Sequence, residues 1–179
     1  MGKKKILLHV CCAPCSPYVA DLLSKDYEVT LFFYNPNIQP ESEYKLRLEE
    51  IKRFAEENNL NLITGNYELN KWSDYIKGLE NEPERGKRCD QCFKLRIETS
   101  FKKAEEQSIP YLTTTLTVSP HKKANTINRI GQELSESYNV KFLAENFKKS
   151  EGFKKTNLMG KKYNFYRQNY CGCLFSRRK

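Results

Sequence analysis

Seven cysteines stand in three short groups, Cys11-Cys12-x-x-Cys15, Cys89-x-x-Cys92 and Cys171-x-Cys173, and any fold of this chain has to account for where it puts them. Within a group the sulfurs are close enough to touch one ion or cluster. The groups lie too far apart in sequence to make a local finger, so a soft-metal site would have to be gathered by the tertiary fold. The competing reading is a disulfide framework. That belongs to small secreted chains, whereas here the thiol count is odd and the chain is 179 residues long.

Met1 to Lys5 carries the charge of a signal peptide's start, but the apolar run behind it, Ile6 to Val10, is too short and is interrupted by His9. Nothing approaches the ~20 apolar residues of a membrane span. The expected setting is therefore cytoplasmic and reducing, with no membrane partner. A chain of this length can bury enough surface to fold as one domain, 1–179, without metal, which moves the cysteines from a structural towards a catalytic or redox role. Its 31 Lys and Arg against 22 Asp and Glu, with 11 Tyr and 10 Phe, suit a polyanionic partner such as nucleic acid without specifying one.

Hydrophobic periodicity places the groups. Lys3 to Val10 reads as a strand running straight into the first cysteines, and a helix follows, with Ser16 as cap and Pro17 as its first residue. Tyr27 to Tyr34 is a second strand, Glu41 to Asn58 a helix, and Leu60 to Thr64 a third strand. Asn70 to Leu79 predicts another helix. A polar loop, Glu80 to Lys87, then delivers Cys89 and Cys92 to the first turn of a helix that runs to about Gln107. Tyr111 to Val118 reads as a strand, followed by a helix to about Tyr138 and a last strand from Val140 to Ala144. The order predicts an α/β, Rossmann-like (HUP/PP-loop-like) parallel sheet flanked by helices with right-handed crossovers. The basic, aromatic segment 146–179 carries two cysteines near its end, so it is expected to fold back and contribute ligands.

Loops leaving the carboxyl ends of such strands line the ligand crevice, and the first cysteine group occupies one of them. Seven sulfurs exceed the needs of one tetrahedral zinc; an iron-sulfur cluster takes three or four and leaves thiols for a second metal. Spacing alone does not separate zinc from iron-sulfur. Taken singly, Cys11-Cys12 suits two small buried hydrophobes and Cys89-x-x-Cys92 half a zinc site; His9 and Trp72 suit the core. Asp90 is an ordinary carboxylate for the start of a helix that also sits where a hard ligand is useful. The Lys pairs at 148–149 and 154–155, alternating with Phe147, Phe153, Tyr163 and Tyr166, suit phosphate contacts with base stacking as well as a solvated face.

Longer motifs narrow this. Leu7-Leu8-His9-Val10-Cys11-Cys12-Ala13-Pro14-Cys15-Ser16 resembles the N-terminal signature of the QueH-type epoxyqueuosine reductases. Tyr34 to Pro40 with Glu43-Tyr44 and Arg47, Arg88-Cys89-x-x-Cys92 with Arg96, Thr114-Thr115-Leu116 with Ser119 to Lys122, and Tyr166-Arg167-Gln168-x-Tyr170-Cys171-Gly172-Cys173 resemble the remaining blocks, in order. The resemblance implies reduction of epoxyqueuosine to queuosine at the wobble position of tRNA, using a 4Fe-4S cluster, an adjacent mononuclear iron, an external electron donor and no cobalamin. It places Cys11, Cys12, Cys15, Cys89, Cys92, Cys171 and Cys173 around the metals with Asp90 as a further ligand. Asp90 and Cys12 become candidates for proton supply, and Asn35, Asn37, Tyr44, Arg47, His121, Lys122, Arg167 and Gln168 for substrate binding. Two alternatives stand beside it: a zinc-stabilised RNA-binding module, and an ATP-dependent tRNA modifier of the PP-loop kind. For the latter, cysteines occupy the turn where phosphate-binding glycines belong.

Overall fold

The computed structural model describes residues 2–177; Met1, Arg178 and Lys179, the ends of the expected 1–179 domain and 146–179 segment, lie outside them. Five strands, β1 (Lys4–His9), β2 (Tyr27–Phe33), β3 (Asn61–Thr64), β4 (Tyr111–Thr114) and β5 (Lys141–Phe142), form one parallel sheet in the order β3-β2-β1-β4-β5. Ile6, Leu7 and Leu8 are all fully buried, as a strand covered on both faces requires. One apolar layer joins Ile6, Leu8, Leu31 and Phe33 to α1 (Ser16–Ser24) and α2 (Glu41–Glu57). The other joins Leu7, Phe32 and Leu112 to α3 (Leu69–Tyr75), α4 (Lys87–Glu106) and α5 (Ala124–Ser135). This is the Rossmann-like arrangement that the strand and helix order predicts.

The chain leaves β1 for β2 on one side and reaches β4 on the other, so the strand order reverses between β1 and β4. Open α/β sheets form their crevice at such a reversal, and the first cysteine group sits at that tip. Three local expectations shift. The strand foreseen over Tyr111 to Val118 ends at Thr114 and turns into a 3-10 helix, Thr115–Val118, because the Thr114 hydroxyl accepts the Leu116 N–H at 3.2 Å. The helix foreseen over Asn70 to Leu79 stops at Tyr75. Cys15, not Ser16, stands at the cap of α1, and Ser16 turns its hydroxyl back to the Cys12 carbonyl at 2.8 Å.

The tail also holds a helix that the sequence pattern did not mark, α6 (Gly152–Lys162). Its glycines disguise it, yet both mark close packing. A Cβ on Gly152 would lie 1.7 Å from the Phe147 carbonyl oxygen, and Gly160 lies against Pro14 in the cysteine turn. Beyond α6 the chain folds back over α2, stacking Tyr163 on Phe165 and Phe165 edge-on to Phe54. No helix among the described residues is long and apolar enough to cross a membrane.

Candidate metal centre

The tip of β1 is pinned from three sides. The buried His9 ring bonds the Thr114 hydroxyl at 2.8 Å and the Tyr34 carbonyl at 3.2 Å. Burial, reinforced by the Arg96 charge, pushes its pKa down to about 3, so the ring is neutral and structural. Asn35 donates to the Val10 carbonyl at 3.0 Å. The Cys11 N–H reaches the Thr115 hydroxyl at 3.2 Å. From this fixed point Cys12 is extended, and Pro14 tightens residues Ala13–Cys15 into a 3-10 turn.

That turn draws the sulfurs of Cys11, Cys12 and Cys15 to within 4.8 Å of one another, the one such close group of metal-binding side chains among the described residues. Cys11 and Cys12 are 3.7 Å apart. Sulfurs this close oppose one another's ionisation, so their thiols shift in opposite directions. Hydrogen bonds from Cys12 and Cys15, aided by Lys122 and Arg96, hold the Cys11 thiol well below its usual range. Its neighbours are pushed up by the bond each makes to Cys11, Cys12 to about 12. Three thiols this close resist ionising together, and a cation held among them would balance their charge.

The central pair comes from the first turns of α4. Arg88 anchors the loop before it by donating to the carbonyls of Glu80 and Glu82, and the Arg85 N–H points to the Cys89 sulfur at 3.3 Å. Burial raises the thiols of Cys89 and Cys92, the latter to about 11, and the Trp72 indole N–H is buried behind them without a hydrogen-bond partner.

The last pair is delivered by a clamp on the returning tail. Arg47, buried and paired with Glu43 at 2.8 Å, donates to the carbonyls of Cys171 at 2.9 Å and Tyr170 at 3.3 Å. The Gln39 N–H takes the Gly172 carbonyl at 2.9 Å, and the Tyr170 hydroxyl returns to the Gln39 carbonyl. Phe175 lies between Trp72 and the Arg88 guanidinium, closing the tail over α3 and α4.

Cys11, Cys12, Cys15 and Cys171 line one cavity of about 640 Å³ with Arg96, Lys122 and others. Cys171 also lines a narrow crevice beside it with Cys89, Asp90 and Phe93. Cys92 and Cys173 are buried in the apolar layer behind. All seven thiols are free. His121 and Lys122 border both spaces. Burial disfavours charge on Lys122, but the sulfurs of Cys171, Cys11, Cys15 and Cys12 outweigh it and raise its pKa.

The other foreseen site residues divide. Arg47 and Gln168 line the cavity, and the Gln168 Oε1 is buried without a partner. Asn35 sits beneath it, accepting from Arg96. Asn37 abuts Gly172, Tyr44 lies on Tyr67 and Phe33, and exposed Arg167 bonds the Asn157 carbonyl at 3.0 Å beside α6. Arg96 itself was not among the foreseen site residues, although its spacing from Cys89 and Cys92 puts it on their face of α4.

Residues 6–179 match the family model described as epoxyqueuosine reductase QueH. The chain is 40% identical over 185 residues to the epoxyqueuosine reductase QueH of Staphylococcus epidermidis, covering 99% of this chain and 78% of that protein. It is 38% identical over 180 residues to the one from Streptococcus pyogenes, covering 97% and 71%. Among solved structures it superposes on the U34-tRNA thiolase NcsA of Methanococcus maripaludis, solved with its 4Fe-4S cluster, at a TM-score of 0.60 and 12% identity, covering 98% of this chain and 61% of that one. That likeness is one of fold.

Proposed function

Because the chain belongs to the epoxyqueuosine reductase QueH family, we propose that it converts epoxyqueuosine to queuosine at the tRNA wobble position, in a reducing cytoplasm, with a 4Fe-4S cluster, an adjacent iron and no cobalamin. The observation that carries this reading is the convergence of three distant cysteine groups on one cavity and its side crevice. The donor set fits the metals: seven free thiols, three of them within 4.8 Å, with Arg96 and Lys122 at hand to balance thiolate charge. Cys11, Cys12, Cys15, Cys89, Cys92, Cys171 and Cys173 would hold them, with Asp90 as an oxygen ligand. The fold accommodates such a centre in the NcsA thiolase.

Deoxygenation breaks both C–O bonds of the epoxide, takes up two electrons and two protons, and leaves an alkene and water. When bound, the metals supply electrons drawn from an external donor and a Lewis-acidic position for the oxygen. The chain's own residues bind and orient. A cavity of about 640 Å³ is of the size that holds a nucleoside-sized ligand. Lys122 and His121 at its edge face developing negative charge, the free Gln168 Oε1 accepts from a sugar or ring hydroxyl, and protons come from whichever of Asp90 and Cys12 is not holding metal. Between Asn146 and Arg167 stand seven Lys and Arg against one acid. Most of these cations lie on or beside α6, which packs on the cysteine turn with Phe153 exposed. This face would take the phosphates and bases of the anticodon arm.

The test is anaerobic purification with iron and sulfide analysis, followed by mass analysis of the wobble nucleoside after incubating epoxyqueuosine-bearing tRNA with protein and a strong reductant. Iron, acid-labile sulfide and loss of one oxygen are expected. Zinc without sulfide, or an unchanged nucleoside, overturns the reading.

A further inference from the structure

Arg96 presents an electrostatic problem. It is 2% exposed, yet no carboxylate pairs with it among the described residues, and its Nε is buried without a partner. Its one hydrogen bond is to the neutral Asn35 Oδ1. A buried guanidinium left in this state is costly by several kcal/mol, so a fold that keeps it has an anion for it to meet.

The surroundings say which anion. Arg96 stands four residues after Cys92 and seven after Cys89, on the same face of α4, and it lines the cavity with Cys11, Cys12 and Cys15. Through Asn35, which holds the Val10 carbonyl, it is also tied to the backbone just before Cys11. We infer that Arg96 is the built-in countercharge of the thiolate-held metal centre, a positioning residue set between the N-terminal and helical ligand groups to stabilise the centre's reduced, more negative state.

This rests on the metal reading above, and the experiment separates the two. Arg96→Gln keeps a donor for Asn35 but removes the charge; Arg96→Lys keeps the charge. The readouts are the midpoint potential of the loaded protein in a spectroscopic redox titration and the chelator concentration that strips half its iron. Arg96→Gln should lower the midpoint potential and give up iron at a chelator concentration lower by about tenfold. Arg96→Lys should stay close to wild type in both. If Arg96→Gln does not fold or load, Asn35→Asp sets a carboxylate against the guanidinium and should lower the potential below that of Asn35→Leu, which loses the same bond to the Val10 carbonyl without adding charge. An unchanged potential in the charge-neutralised protein, or an equal shift in Arg96→Lys, overturns the inference and reduces Arg96 to a support for Asn35. Wild-type protein that carries no iron and sulfide overturns the functional reading, and this inference with it.

Discussion

Gly172 separates the last two cysteines at a φ of +145°, and a Cβ there would lie 2.9 Å from the Asn37 Nδ2 and 3.0 Å from the Ile38 Cγ1. Gly172→Ala therefore faces both backbone strain, about 1–3 kcal/mol, and a clash with the loop that receives the tail. Iron per chain should fall in this variant while tRNA binding persists, measured by metal analysis and filter binding; full iron retention would show that the tail tolerates another path. His9 supports a second expectation. The unfolded ring takes a proton below about pH 6.5, but the folded ring does so only near 3. Unfolding thus takes up a proton across that window, and stability present above pH 6.5 is lost as pH falls, by about 1.4 kcal/mol per unit. Urea midpoints between pH 7.5 and 5.5 should fall more steeply for wild type than for His9→Gln, and parallel slopes would remove His9 from the account. The cysteines and the buried His9 were legible in sequence because their chemistry or apolar setting is local. Asn37 and Arg47 read as substrate contacts, and nothing in the sequence marks that they also meet the tail, Arg47 while lining the cavity. A hydrogen bond across more than a hundred residues of chain leaves no periodicity to read.

At the scale of elements, α6 is the informative case. Strands β1 and β2 declare themselves by unbroken apolar runs and α2 and α4 by helical spacing, so their places were legible to within a few residues. The α6 segment, GFKKTNLMGKK, has two glycines and four lysines, and its buried positions are Gly152, Thr156 and Gly160. A helix that buries small residues at every fourth position packs closely on its neighbour without looking amphipathic. Its remaining face is cationic, and Lys161 and Lys162 are exposed with no acidic partner among the described residues, unlike Lys154, which pairs with Glu151. If this face meets the anticodon arm, Lys161→Glu with Lys162→Glu should weaken tRNA binding. It should also flatten the slope of log affinity against log salt by roughly 0.9 for each phosphate no longer neutralised, while leaving iron content at the wild-type level. The same double change on Lys102 and Lys103, whose amines already sit on Glu98 and Glu106, is the control. An equal fall in affinity from both pairs would assign the effect to net charge alone.

For the molecule as a whole, the sheet and the ligand set are separable. Both apolar layers are closed by residues up to Phe165, apart from Cys173 at the edge of one. Length alone implied such independence, since a chain of this size does not need metal to make a core. The segment from Tyr170 onward adds the Arg47 and Gln39 hydrogen bonds, each worth about 1 kcal/mol, and the cover of Phe175 over Trp72. It also brings the two cysteines that border Cys89 and Cys92. A chain ending at Asn169 should therefore fold, with a cooperative melt lowered by several degrees and the same far-ultraviolet circular dichroism. It should bind tRNA through α6, which it retains. Turnover of epoxyqueuosine should be lost and iron per chain reduced, because the shared border of cavity and crevice at Cys171 is gone. A truncated chain that melts without cooperativity would make the tail part of the folding core. One that still reduces epoxyqueuosine would place the chemistry on the first five cysteines alone. The double variant Cys171→Ser with Cys173→Ser in the full chain separates these outcomes, since it keeps the backbone hydrogen bonds of the tail and removes only its sulfurs.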